Sequence, residues 1–246
     1  MFDIHTHILP GVDDGAKDLI ESLALLKMAQ HDGITHVVAT PHIHLGRFDN
    51  CLSDLSNEFA HLKQHVEASD INIKLALAAE VRLDSELIRL IKTNQLPFIG
   101  KLANQDYLLL ELPHSHVPEG YDKFIMWLQQ KNIRVVIPHP ERNRDIQKDR
   151  SYIKRLVNLG CDFQLTASSI EGLWGVTAKQ LSEAMLSAGI VKYIASDAHS
   201  VKRRPPVLSR AKQLVSNLIG KDKAQALFVA NPAQLTESLF VEQSKR

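Results

Sequence analysis

Short, nearly uninterrupted apolar runs alternate along the chain with longer stretches that place apolar residues at helical spacing. The runs fall at 2–8 (FDIHTHI), 35–42 (THVVATPH), 73–81 (IKLALAAEV), 106–113 (DYLLLELP), 134–140 (RVVIPHP), 162–168 (DFQLTAS) and 193–199 (YIASDAH). Their wealth of Val, Ile and Leu is the pattern of strands buried on both faces. Helical patterns fill 18–31, 49–68, 84–92, 121–131, 149–159 and 177–188, with glycine stops after several of them, as in HDG, VNLG and LSAG. Further helices are expected at 207–219 and 222–229, and NPAQLTESLF forms a last one with Pro232 at its start.

Seven strand-then-helix units imply a parallel sheet. Neither a P-loop nor a GxGxxG follows the first strand, which disfavours a nucleotide-binding doubly wound sheet. The expectation is therefore an α/β fold, a closed seven-stranded (β/α) barrel. No repeat, low-complexity tract or linker divides residues 1–246, so one domain is expected.

Chemistry in such barrels gathers at the C-terminal ends of the strands. Here those ends carry His5 and His7, His42, Glu80, Glu111, His139, and Asp197 with His199, while Asp14 follows the first strand in its loop. His5 and His7 lie two apart on one strand, so they share a face at roughly 6–7 Å between backbones. Asp197 and His199 have the same spacing. A single strand histidine reads as a hydrogen-bonded core residue. Nine such residues meeting at one rim are an expensive collection of buried polar groups, and cations offset that expense. One catalytic ion takes three or four protein ligands, so two or three divalent ions fit the set better. Imidazole with carboxylate and no thiolate suits Mn, Fe or Zn.

The rest of the composition narrows the partners. A net charge of +1 argues against a nucleic-acid surface. Cys51 and Cys161 form no disulfide framework, thiol cluster or nucleophile motif, and fit a reducing, cytoplasmic setting. No signal peptide and no bilayer-length apolar run is expected. GxSxG and Cx5R motifs are absent, so a covalent serine or cysteine mechanism has no support. His31, His36, His61 and His65 read as solvated. His44, His114 and His116 follow strand ends without a spacing that assigns them a role, and Asp13 beside Asp14 either orients the loop or faces water.

Read together, DIHTH (3–7), TPH (40–42), Glu80, PHP (138–140) and SDAH (196–199) resemble the PHP (polymerase and histidinol phosphatase) superfamily. HTHILPGVDDG with ATPH, PHPER and SDAHx4RPP is similar, from residue 3 to about 235, to the bacterial metal-dependent protein-tyrosine phosphatases of capsule and exopolysaccharide loci. The resemblance implies a distorted (β/α)7 barrel with a trinuclear site of manganese first, with iron or zinc as alternatives. It implies one ion on His5, His7, Glu80 and Asp197, a second on Glu80, Glu111 and His139, and a third on Asp14, His42 and His199. It also implies phosphate contacts from Arg142 in PHPER and Arg204 in SVKRRPP, with Arg203 as the alternative. The implied substrate is a phosphotyrosine protein, a membrane-associated tyrosine kinase that controls polysaccharide assembly. The competing readings are a small-molecule phosphomonoesterase, such as a histidinol-phosphate phosphatase, and a non-catalytic metal-binding module.

Overall fold

The computed structural model describes residues 1–241. Its strands are β1 (Phe2–Thr6), β2 (His36–Ala39), β3 (His42–Ile43), β4 (Lys74–Leu77), β5 (Glu80–Arg82), β6 (Gly100–Leu102), β7 (Gln105–Glu111), β8 (Ile133–Pro138), β9 (Asp162–Thr166) and β10 (Val191–Ala195). One parallel ladder runs β1-β2-β4, and a second runs β3-β5-β7-β8-β9-β10. Two backbone hydrogen bonds close the ring where β1 meets the chain leaving β10. Asp197 N–H donates to the His5 carbonyl at 2.9 Å, and His7 N–H donates to the Ala198 carbonyl at 2.8 Å.

Two of the seven staves are broken. Pro41, which has no N–H to give a ladder, separates β2 from β3, and Ala78-Ala79 separates β4 from β5 in step with it. The ladder therefore passes from β2·β4 to β3·β5 across a shared kink, with His42 in register with Glu80. That kink turns two ligand-type side chains toward the mouth together.

The helices around the barrel are α1 (Leu19–His31), α2 (Leu52–Glu67), α3 (Leu87–Lys92), α4 (Tyr121–Gln130), α5 (Arg144–Lys148), α6 (Ser151–Asn158), α7 (Ala167–Ile170), α8 (Val176–Ser187), α9 (Ser209–Ile219), α10 (Lys221–Gln225) and α11 (Asn231–Val241). Asp18 caps α1, its carboxylate accepting from Glu21 N–H. A π-helical turn over Ala226–Ala230 joins α10 to α11. Pro232 stands just beyond it, and a widened turn relieves the missing N–H and the ring's crowding of the preceding carbonyls.

Two apolar layers result. The outer one lies between helices and strands and includes Leu25, Leu55, Leu62, Ile125, Leu156, Phe163 and Phe228. The inner one fills the barrel with Ile4, Val38, Ala76, Leu109, Val136 and Ala195, and Leu235 of α11 joins it. α11 thus plugs the end of the barrel opposite the rim that carries the ligand-type residues, so the interior is a packed core and not a channel.

The predicted seven parallel staves are present, with differences at their ends. The run 162–168 stops at Thr166 because Ala167 starts α7, and 193–199 becomes Val191–Ala195, leaving Asp197 and His199 in the following loop. Helix 84–92 contracts to Leu87–Lys92, and 222–229 is present as Lys221–Gln225 continued by the π-helical turn. The short strand β6, antiparallel to β7, follows no apolar run; residues of positive φ, Ala103 and Asn104, turn its hairpin.

Leu235 is fully buried under the barrel. Leu235→Ala is expected to destabilise the fold by about 2–4 kcal/mol, read by urea denaturation, while sparing the distant rim. A loss below about 1 kcal/mol would contradict the plug.

Candidate metal centre

The first loop carries its acids back to the rim because of one glycine. A Cβ at Gly15 would lie 2.1 Å from the His7 carbonyl oxygen and 2.5 Å from His7 Cβ, so no other residue lets the chain fold so closely onto β1. Ala16 N–H then donates to the His7 carbonyl at 3.0 Å, and Asp13 and Asp14 are brought back beside the histidines.

His5 and His7 are held by their Nδ1 atoms. The Gln164 amide donates through Nε2 to the Leu165 carbonyl, which turns Oε1 toward His5 Nδ1 at 2.8 Å. Asp13 Oδ2 accepts from His7 Nδ1 at 2.7 Å and from His42 N–H at 2.9 Å. With both Nδ1 atoms occupied, both Nε2 atoms face the centre, only 3.2 Å apart. His199 follows the same rule, with Nδ1 donating to the Asp197 carbonyl at 3.0 Å. Gln164 escaped the sequence reading, and Asp13, expected either to orient the loop or to face water, holds the loop through Gly15 N–H and orients His7 as well.

Carboxylates meet these lone pairs. Glu80 Oε2 lies 3.2 Å from His5 Nε2, 3.3 Å from His7 Nε2 and 3.1 Å from His42 Nδ1, and its Oε1 is 2.7 Å from His139 Nε2. Asp197 Oδ1 lies 3.4–3.5 Å from His5, His7 and His199. Asp14 Oδ1 is 3.4 Å from His42 and 3.5 Å from His199. Glu111 is fully buried, 3.9 Å from both His42 and His139 and 2.9 Å from Arg82 Nε. All nine predicted residues therefore converge on one rim. The donor atoms fall into overlapping groups, among them His7-Asp14-His42-His199, His5-His7-Glu80, His5-His139-Asp197 and His42-Glu80-Glu111.

Glu80 touches four of the five histidines, and the electrostatics follow from that. Burial opposes ionising Glu80, but His5, His42 and His139 outweigh it and hold its carboxyl well below the ordinary range. Glu111 goes the other way, because burial and then the Glu80 charge push it well above. Burial works against the His7 imidazolium, yet Asp13 and its neighbours raise that pKa well above the usual value. Burial and Arg142 lower His139, and burial with His7 lowers His199 to about 4.

At the rim, both Glu111 oxygens, Asp197 Oδ1 and His42 Nδ1 are buried without a well-formed hydrogen bond, although Arg82 Nε lies 2.9 Å from Glu111 and Glu80 Oε2 3.1 Å from His42 Nδ1. Buried acceptors left bare are destabilising, and acceptors packed against acceptors more so. Divalent cations fit that donor set in number, charge and chemistry. The backbone is also strained where ligands sit, with His139 at φ +35° and Asp197 at φ +55°, both non-glycine residues in the left-handed region.

Arg142 and Arg204 each send Nη2 to Asp197 Oδ2. Burial opposes an ionised Asp197, but the two guanidinium groups outweigh it and keep its carboxyl well below the ordinary range. Arg142 Nε and Nη1 are buried with no hydrogen-bond partner, leaving two free donors beside the carboxylates. Arg203 is exposed. Of the histidines without an expected role, His114 stacks on His139 at 5.3 Å between ring centroids and lies 3.4 Å from Glu111, whereas His116 is exposed and pairs with Ser115. His44 is half-buried with its ring edge-on to Phe48.

Known proteins share this arrangement to different degrees. The family model for capsular polysaccharide synthesis, CpsB/CapC, matches residues 1–237. The tyrosine-protein phosphatase YwqE of Bacillus subtilis is 35% identical over 204 residues, 83% of this chain and 79% of its own. The tyrosine-protein phosphatase CpsB of Streptococcus agalactiae serotype III is 26% identical over 246 residues, 98% of this chain and 100% of its own. A crystal structure from work on YwqE and on CpsB of Streptococcus pneumoniae, described as metal-dependent tyrosine phosphatases, superposes with a TM-score of 0.88 at 32% identity, covering 96% of this chain and 94% of that one. A phosphotriesterase from Mycobacterium tuberculosis, at 12% identity and a TM-score of 0.52, shares the fold alone. The chain belongs to the CpsB/CapC family of capsular polysaccharide synthesis, on the PHP-type barrel.

Proposed function

We infer that this chain is a metal-dependent tyrosine-protein phosphatase of capsular polysaccharide synthesis, working as one metallophosphatase domain over residues 1–246. The observation that carries the reading is the convergence of Glu80, Glu111, Asp14 and Asp197 with His5, His7, His42, His139 and His199, beside an arginine with two idle buried donors. Two or three divalent ions occupy this set in the proposal, one on His5, His7, Glu80 and Asp197, one on Glu80, Glu111 and His139, and one on Asp14, His42 and His199. Manganese is first in order, with iron and zinc as alternatives.

When bound, such ions lower the pKa of water to about 7 and offset charge on phosphoryl oxygens. The chain's own residues do the remaining work. Gln164 and Asp13 fix the tautomers of His5 and His7, and Asp197 holds both guanidinium groups against the rim. Arg142 and Arg204 take the phosphoryl oxygens and orient the ester, the planar fork suiting bidentate contact. Tyrosine leaves with a pKa of about 10, so departure of the phenolate needs less proton donation than that of an alkyl alcohol.

The substrate is, in this reading, the tyrosine-rich tail of a membrane-associated kinase. The described residues contain no helix long and apolar enough to cross a membrane. Both cysteines are free, which fits a cytoplasmic enzyme meeting that tail at the membrane's inner face.

Four outcomes test this reading. His5→Ala and Glu80→Gln are expected to lose bound metal by elemental analysis and at least roughly 100-fold in turnover of a phosphotyrosine peptide. Metal content equal to the parent's would overturn the ligand assignment. Arg204→Ala is expected to retain metal while raising KM by about 10- to 100-fold, the worth of a charge-assisted hydrogen bond. Turnover of histidinol phosphate without turnover of the peptide, in the presence of Mn²⁺, would move the enzyme to the metabolite class. Finally, Glu111 and His7 both have raised pKa values, so they hold protons that an arriving cation displaces. Mn²⁺ binding should release protons and tighten as pH rises; calorimetry in buffers of different ionisation heat reads this, and net proton uptake would contradict it.

A further inference from the structure

The loop between α7 and α8 is not part of the ligand set, yet it reaches the site through one side chain. The Trp174 indole lies 4.4 Å from the Arg142 guanidinium carbon and 5.5 Å from that of Arg204, measured to the ring centroid. Those two arginines come from different parts of the barrel, one after β8 and the other after β10, and the indole spans both. Arginine over an aromatic face is attracted by the ring quadrupole, and the plane restricts the rotation of the guanidinium fork.

The indole is itself fixed. Its Nε1 donates to Ser168 Oγ at 2.9 Å, and Leu173 N–H donates to the Ser168 carbonyl at 2.9 Å. Gly172 at φ +90° and Gly175 at φ +89° supply the left-handed turns that a short loop of this shape requires. A rigid loop of this kind can act as a backstop. Moreover, Trp174 is 40% exposed and the adjoining Leu173 70% exposed, which a residue serving only the core would not be.

We propose that Trp174 is a positioning residue for phosphate recognition, holding the Arg142 and Arg204 forks toward the phosphoryl oxygens by stacking against both. The proposal rests on the phosphate role of the two arginines. Without the indole, each guanidinium regains rotamer freedom that phosphate binding must then remove. Asp197 anchors one nitrogen of each guanidinium, and the indole is the second contact that sets the plane of the fork.

The test uses the full-length enzyme loaded with Mn²⁺ and measures inhibition by inorganic phosphate together with KM and kcat on a phosphotyrosine peptide. W174A is expected to weaken phosphate inhibition and raise KM by about 5- to 30-fold, the range of a cation–π contact, with a smaller change in kcat. W174F should recover most of the loss, and S168A, which frees the indole, should show a fraction of it. Metal content and melting temperature should match the parent in all three, separating positioning from general damage. Unchanged phosphate inhibition in W174A, while R142A and R204A lose it, would overturn the indole's role alone. If R142A and R204A also bind phosphate normally, the arginine reading fails and this proposal with it. A loss in W174A that W174F does not repair would contradict stacking as the cause.

Discussion

Everything at the rim follows from one electrostatic constraint: Glu80, Glu111 and Asp197 are all buried at one rim among imidazoles, with donor atoms of Glu80 and Glu111 within 4.8 Å of each other. Carboxylates crowded together in a low-dielectric interior repel, and one of a pair must take a proton or find a cation. The opposed shifts of Glu80 and Glu111 express that conflict. Gln164, Asp13 and the Asp197 carbonyl direct it by occupying the Nδ1 atoms of His5, His7 and His199, so that the Nε2 atoms face the carboxylates. The Arg82, Arg142 and Arg204 guanidinium groups offset part of that negative charge, and divalent cations at the middle would offset the rest.

The fold supplies the stiffness that holds those groups in place. Strands fix the positions of His5, His42, Glu80 and Glu111, while the packed interior and the α11 plug resist collapse of the ring. The strain sits at His139 and Asp197, whose left-handed backbones aim their side chains inward where the chain leaves β8 and β10. Gly15 performs the complementary task, allowing the acidic loop to close over β1. Stability is thus concentrated at one end of the barrel and chemistry at the other.

Most of this was legible in the sequence, and the exceptions have physical causes. Buried parallel strands announce themselves as apolar runs, so the seven staves were readable, and ligand-type residues at their ends stood out from that background. Strand ends were less so. The run DFQLTAS continues apolar past Thr166 because α7 is buried too, and periodicity cannot separate a buried strand from the helix that succeeds it. The β6 hairpin hid because Gly100–Leu102 is too short to show a pattern. Asp13 and Gln164 act through hydrogen bonds to ring nitrogens, a relation fixed by the three-dimensional register and invisible to spacing. Trp174 is similar, lying 32 residues from Arg142 and 30 from Arg204 in the chain.

Anomalous X-ray diffraction from crystals grown with Mn²⁺ tests the electrostatic constraint most directly, because it locates cations without reference to activity. The expected result is at least two anomalous peaks within coordinating distance of the converging groups, one of them touching Glu80. An active enzyme whose crystals show no peak there, with Glu80, Glu111 and Asp197 paired only to protein groups, would contradict it.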